Sequence, residues 1–292
     1  MLFSASTLVQ ALVSGVAMGL IYGLVGIEYT LIYNTTGLLN FAHGKVITFC
    51  GYLFAALCLN QLGLPVIPAA LLALVFAGVL AVIMSSSIFI PLRNKDNLCC
   101  ILATVMAGKV LYEAMRIAWG AFNIPVETYF PGTINILGAT LSATYIYVVV
   151  LALIITIALQ LFMNKTKMGK AMKCVSQNKT AAGLMGINVT AYMRIAAVMS
   201  FMVCCVISIL LIPLLSLSKE MAEMTALKGF AAGIVGGFGL LPGAVVGGVV
   251  LGLAENFACL FVPSGYKDVV AFVLLIVFML IKPSGLLGKK AR

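Results

Sequence analysis

The single histidine of the chain, His43, stands in the run Gly37-Leu38-Leu39-Asn40-Phe41-Ala42-His43-Gly44. An imidazole can hold or pass a proton near neutral pH, and the Asn40 amide can both donate and accept hydrogen bonds. Together they could cap backbone groups freed where a helix breaks. Irregular backbone at membrane depth is tolerated only when it is buried in protein or faces a water-filled cavity. Asn40, Phe41, His43 and Gly44 are therefore candidates for a helix break, for the lining of a path, or for both.

Five charges sit inside otherwise apolar segments: Glu28, Lys45, Lys109, Glu113 and Arg116. An unpaired charge at the centre of a membrane helix costs about 2.5–3.5 kcal/mol on insertion scales, so pairing is expected. Lys109 and Glu113 are spaced i, i+4 and Glu113 and Arg116 i, i+3, which puts all three on one helical face. Glu28 and Lys45 carry opposite signs on neighbouring spans and could compensate each other. The eight cysteines are dispersed, and the pairs Cys99-Cys100 and Cys204-Cys205 are adjacent residues rather than metal-ligand or redox spacings. They read as small buried hydrophobes, so no metal site, cofactor or disulfide framework is expected. One histidine and eight scattered acids also offer no convergent nucleophile, base and metal ligands, which argues against an enzyme. Gly237-Phe238-Gly239 resembles the start of a dinucleotide fingerprint, but Pro242 stands where the third glycine belongs and no strand precedes it.

The elements that carry these residues follow from where charge is missing. Forty-seven consecutive residues between Lys45 and Arg93 are uncharged, and similar blanks cover 1–27, 128–164, 195–218 and 229–254. A helix of about 20 apolar residues crosses the roughly 30 Å hydrocarbon core while satisfying its own backbone. The composition, 63% hydrophobic and 9% charged, leaves too little polar surface for a water-facing globule. The expected fold is an all-α polytopic membrane protein, one membrane domain over residues 1–292. About 8 to 9 transmembrane helices are expected, with a broken or re-entrant Gly-rich region.

Candidate spans are 8–33, 44–60, 66–90, 98–119, 143–162, 192–215, a Gly-rich pair within 225–261, and 266–281. The turn chemistry of Asn34-Thr35-Thr36-Gly37 and Gly63-Leu64-Pro65 separates the first three, and Pro91 ends the third. No lysine or arginine precedes the first apolar run, so it reads as a span rather than a signal peptide.

The net charge of +10 is concentrated at Arg93 and Lys95, at Lys165, Lys167, Lys170, Lys173 and Lys179, and at Lys282, Lys289, Lys290 and Arg292. Such clusters in short loops mark the cytoplasmic side, so nucleic-acid binding is not expected. With the 164–179 loop and the tail both inside, the Gly-rich region must leave and return on the outer side, bent near Leu241-Pro242-Gly243. Three spans before Arg93 place the N-terminus outside. Small residues at four-residue spacing, Gly15/Gly19/Gly23, Gly239/Gly243/Gly247 and Gly248/Gly252, allow close helix approach. They serve packing within one subunit, a seam between subunits or a pore-lining hinge.

Three segments are specific in combination: the run 37–44; Met168-Gly169-Lys170-Ala171-Met172 followed by Ala181-Ala182-Gly183-Leu184-Met185-Gly186-Ile187-Asn188; and Lys228-Gly229-Phe230 leading into 236–248, with Leu251-Gly252-Leu253-Ala254-Glu255 close behind. With the closing Tyr266-Lys267-Asp268-Val269-Val270 and 283–288, the chain resembles the permease subunits of branched-chain amino acid ABC importers, the LivH type, from about residue 8 to 287. The resemblance implies a subunit that passes a hydrophobic amino acid from an extracytoplasmic binding protein into the cell. Such subunits pair with a second related permease and with two cytoplasmic ATPase subunits. The chain has no Gly-Lys-Ser or Gly-Lys-Thr phosphate loop, so energy must come from a partner or an ion gradient.

Ala181, Ala182, Met185 and Gly186 fall at the i, i+1, i+4, i+5 spacing of one helix face flanked by lysines. The Ala-Ala-xxx-Gly pattern resembles the coupling helix that ABC permeases seat in their ATPase, so Ala181, Ala182, Gly186 and Ile187 are the expected contact within a cytoplasmic coupling loop over 164–191. Contact of this basic loop with lipid headgroups is the competing reading. Glu28 departs from the family where a small residue is usual, Lys45 where an acid is usual, and Lys109 and Glu113 in a segment normally uncharged. These departures leave the cargo open among branched-chain or other hydrophobic amino acids, short amides and urea. The alternative is an ion-gradient-driven transporter or channel with Glu28, Lys45 and His43 as a relay; internal inverted repeats, common in such proteins, are not evident.

Overall fold

The computed structural model describes residues 5–93, 95–126, 129–136, 138–282 and 285–288. The basic tail Lys289, Lys290 and Arg292 lies outside the described residues.

Helix α1 (Ala5–Thr36) ends where the Thr35 and Thr36 hydroxyls turn back on the Leu31 and Ile32 carbonyls. Gly37 then takes a positive φ of 74°, a conformation that favours glycine. After the break, α2 (His43–Gly51) runs without interruption into a π-helical segment, Tyr52–Gln61. α3 (Val66–Met84) follows Pro65 and continues through a second π segment, Ser85–Phe89, into the turn α4 (Ile90–Leu92). α5 (Asn97–Trp119) leads to a hairpin of β1 (Thr133–Ile136) and β2 (Ala139–Ser142). Then come α6 (Ala143–Lys165), α7 (Lys167–Gln177), α8 (Lys179–Leu184) and α9 (Val189–Leu215). α10 (Glu223–Gly236), α11 (Leu241–Ala258) and α12 (Lys267–Ile281) complete the chain.

Among the described residues, six helices are long and apolar enough to span a bilayer: Ser6–Thr36, Val66–Leu92, Asn97–Trp119, Ala143–Lys165, Val189–Leu215 and Leu241–Ala258. The fold is thus all-α and polytopic. The expected spans at 44–60, in the first half of the Gly-rich pair and at 266–281 exist as shorter or π-interrupted helices. The Gly-rich region is two helices, with Pro242 in the first turn of α11, where its missing N–H costs nothing.

The described chain forms two compact units, each built from separate segments. In the unit of residues 28–127 and 158–223, α9 packs on both α2 and α3, and α5 packs on α2. α3 turns a stripe of fully buried alanines inward, Ala69, Ala73, Ala77 and Ala81, while Leu71, Val75, Val79 and Val82 are exposed. Small residues inside and large apolar ones outside is the arrangement expected where lipid, not water, wets the surface.

In the unit of residues 1–27, 128–157 and 224–292, α1 and α11 meet through their glycines. A Cβ on Gly19 would lie 2.7 Å from Val249 Cα and 2.8 Å from the Gly248 oxygen, and one on Gly15 would lie 3.1 Å from the Gly252 oxygen. These glycine faces are therefore taken up in packing within the chain. Around them Tyr22, Ala231, Ala232, Leu251 and Ala271 form a buried cluster. The segment 285–288 returns to this unit: Leu286 N–H donates to the Val235 carbonyl at 2.8 Å and Leu287 N–H to that of Gly236 at 3.1 Å.

Candidate functional site

The break between α1 and α2 is built by local hydrogen bonds. Gly37 N–H donates to the Tyr33 carbonyl at 2.7 Å, and Leu38 N–H to the Thr36 hydroxyl at 3.1 Å. The buried Asn40 accepts from Ala42 N–H at 3.0 Å, closing the turn that launches α2. Phe41 N–H is held by the Thr104 hydroxyl of α5 at 3.2 Å. The backbone groups freed by the break are thus met by side chains, as interior irregular backbone requires. Gly44 is buried one residue into α2, and its carbonyl accepts from the Thr48 hydroxyl at 2.9 Å.

His43, the first residue of α2, is fully buried, and its Nδ1 lies 2.8 Å from Oε1 of Glu28 on α1, itself fully buried. Cys204 of α9 closes the group: its thiol donates to Glu28 Oε2, and its Sγ lies 3.8 Å from His43 Nδ1. Tyr29 meets the imidazole edge-on at 4.3 Å between centroids. The expected pairing of Glu28 with Lys45 is not what forms. Glu28 faces His43, and Lys45 instead pairs with Glu223 at 2.8 Å and lies 4.5 Å from the Tyr112 ring centroid. The reason is that residue 28 points into the α2–α9 side of α1, whereas Lys45, two residues beyond His43, points to another face of α2. Of the three charges on α5, Arg116 Nε and Glu113 Oε2 pair at 2.7 Å, both about half exposed. Lys109 has no acid within ion-pair distance among the described residues.

In the basic loop, the Thr166 hydroxyl caps α7 by accepting from Gly169 N–H at 3.0 Å, and Asn178 caps α8 by accepting from Ala181 N–H at 2.9 Å. Helix α8 ends in a Schellman motif, with Gly186 N–H on the Gly183 carbonyl and Ile187 N–H on that of Ala182, both at 3.0 Å. Gly186 has φ +80°. Of the four residues expected on one face, Ala181, Met185 and Gly186 are exposed and Ala182 is buried, with Gly186 lying beyond the end of the helix as its terminator. Leu184 and Met185 are what project, at 84% and 83% exposure. Lys179 Nζ reaches back to the Thr36 carbonyl at the end of α1. Burial, and then the nearby Arg93 guanidinium, lower its pKa below the ordinary lysine value.

A second charged cluster is not evident from sequence spacing. Lys228 of α10 pairs with the fully buried Glu255 of α11 at 2.6 Å and also with Asp268 of α12, while Lys267 lies 3.5 Å from the same Glu255 oxygen. The available signal was that Lys228 and Glu255 bracket an uncharged run and carry opposite signs.

A sequence model of the family described as "Branched-chain amino acid transport system / permease component" matches residues 11–279. The chain is 29% identical, over 96% of its length and 95% of the relative's, to the high-affinity branched-chain amino acid transport system permease protein BraD of Pseudomonas aeruginosa. It is 27% identical to the corresponding protein LivH of Escherichia coli K12, with the same coverage. The probable branched-chain amino acid transport permease protein LivH of Methanocaldococcus jannaschii is 25% identical, over 91% of this chain and 88% of that one. Among solved structures, PsaBC from Streptococcus pneumoniae in complex with Fab shares the fold, with a TM-score of 0.53 and 17% identity over 95% of this chain and 92% of that one. A polytopic helical architecture, the broken segment before His43, the capped basic loop and a family match across nearly the whole chain lead to one assignment: the protein belongs to the family of branched-chain amino acid transport system permease components.

Proposed function

We propose that the chain is a permease subunit of an ATP-driven importer for branched-chain or other hydrophobic amino acids, receiving its cargo from an extracytoplasmic binding protein. It works beside a second related permease and two cytoplasmic ATPase subunits. The chain carries no phosphate loop of its own, which fits hydrolysis by those partners. The observation that carries the docking part is the α8 knob: Leu184 and Met185, four-fifths exposed, on a helix capped at both ends within a loop of lysines. A pair of large apolar side chains held rigidly at the tip of a basic loop suits a groove on a protein better than a lipid headgroup layer. The concentration of lysine in 165–179 supports a cytoplasmic position for this loop. The break at 37–44 would line the translocation path.

The test is reconstitution of the full complex with Leu184→Asp or Met185→Asp. Insertion and subunit content are expected to stay normal, and uptake and substrate-stimulated ATP hydrolysis to fall together, because coupling through one contact is reciprocal. These positions are better probes than Gly186, where any side chain would also strain the positive-φ backbone. Full coupled transport by both variants, or labelling of single cysteines in 165–179 by an impermeant reagent from outside intact cells, would overturn the docking assignment.

A further inference from the structure

The geometry points to a resident transition-metal site, of the zinc class, formed by Glu28, His43 and Cys204. These residues lie 15 and 161 positions apart in the chain and come from three helices, α1, α2 and α9. All three are fully buried, and one ligand atom from each, a carboxylate oxygen, Nδ1 and Sγ, lies within 4.8 Å of the others. Although Nδ1 is 2.8 Å from Glu28 Oε1, no hydrogen bond reaches that oxygen in acceptable geometry. Oε1 is thus left without a hydrogen-bond donor although Nδ1 lies beside it.

Zinc binds sulfur at about 2.3 Å and nitrogen or oxygen at about 2.0–2.2 Å, tetrahedrally. Those bond lengths put neighbouring ligand atoms about 3.3–3.7 Å apart. Sγ and Nδ1, at 3.8 Å, already stand near that separation. The Glu28 carboxylate would have to turn so that Oε1 withdraws from Nδ1 by less than about 1 Å and Oε2, now 2.5 Å from Sγ, withdraws by about 1 Å.

A dication with one carboxylate, one thiolate and one neutral imidazole sums to zero, so a loaded site would carry no net charge into the buried interior. Metal entry would displace the protons that the ligand atoms hold, the thiol's among them, and the metal–oxygen, metal–nitrogen and metal–sulfur bonds would replace them. The mixed thiolate, imidazole and carboxylate set selects zinc or a similar borderline ion over magnesium or calcium, which prefer oxygen alone. A Glu–His ion pair by itself would need no sulfur against both partners. The site would tie α1, α2 and α9 together next to the 37–42 break, its three protein donors leaving the fourth tetrahedral position to a water.

The experiment uses the full chain, purified in detergent without chelator, with bound metals quantified by mass spectrometry and the apo protein then titrated with Co(II). About one zinc-class ion per chain and a near-ultraviolet thiolate-to-cobalt band are expected. Cys204→Ser should abolish the band and weaken zinc binding by more than about 100-fold, beyond the loss typical of outer-shell changes. Cys205→Ser, adjacent and equally buried, should retain both. Should Cys204→Ser fail to fold, Glu28→Gln keeps the side-chain shape and is expected to lose the ion while the protein remains monodisperse. A well-folded wild type with neither bound metal nor a cobalt band, or a band that survives Cys204→Ser, would overturn the site and leave a proton-sharing cluster.

Discussion

Glycine-to-alanine changes at two helical positions should alter stability with opposite signs. Gly19 of α1 and Gly78 of α3 both sit inside long apolar helices. Alanine is favoured over glycine in a helix by about 0.5–1 kcal/mol, so each change begins with that gain. At Gly78 the nearest atom to the new methyl is Met202 Cε at 3.8 Å, an ordinary contact with a flexible side chain, and the gain should survive. At Gly19 the methyl would lie 2.7 Å from Val249 Cα and 2.8 Å from the Gly248 oxygen. Both are backbone atoms and cannot rotate away. Carbon atoms rest at about 3.5–4.0 Å, so α1 and α11 must part by roughly 1 Å, which forfeits a quarter to a half of the dispersion attraction along the shared stripe. Overpacking of this kind costs about 1–3 kcal/mol. The helix gain is common to both, so the two variants should differ by about 1–3 kcal/mol, with Gly19→Ala the less stable. Equilibrium unfolding of the purified protein in mixed micelles measures the difference. A Gly19→Ala protein at least as stable as Gly78→Ala would refute the glycine-to-backbone packing of α1 on α11.

Lys228→Met should destabilise by about 3–5 kcal/mol, because it strips the nearest cation from the fully buried Glu255; adding Glu255→Gln should restore most of the loss in the same unfolding assay. For Lys179 the lowered pKa means that folding disfavours its charged form. That penalty is present in full below the folded pKa and fades as pH rises through it toward the ordinary lysine value. Unfolding midpoints should thus climb with pH across that alkaline window, and Arg93→Met, which removes the second cause of the shift, should flatten the climb.

The long helices were readable as stretches without charge because lipid penalises both a stray charge and an unpaired backbone group, and the penalty leaves few alternatives to a helix. The hairpin of Thr133–Ile136 and Ala139–Ser142 lay inside one of those uncharged stretches, where absence of charge does not separate a short strand from the approach to a span. The break at 37–44 was legible through Gly37 and Asn40, whose roles are local. The partners of Glu28 were not: His43 and Cys204 are brought to it by the packing of α2 and α9, and nothing in their spacing encodes that. The face of α8 was legible only in part. The helix ends at Leu184, two residues before the i, i+1, i+4, i+5 pattern does, and Gly186 follows at positive φ, so Met185 projects together with Leu184, which the pattern leaves out.

The return of residues 285–288 to the end of α10 has a consequence for biosynthesis. The Val235 and Gly236 carbonyls receive their donors from Leu286 and Leu287, some fifty residues later in translation. Until then the last turn of α10 lacks these two donors. These two bonds form only once residues 285–288 have been made, so a stop codon placed just after α12 would release a protein whose last turn of α10 lacks both donors.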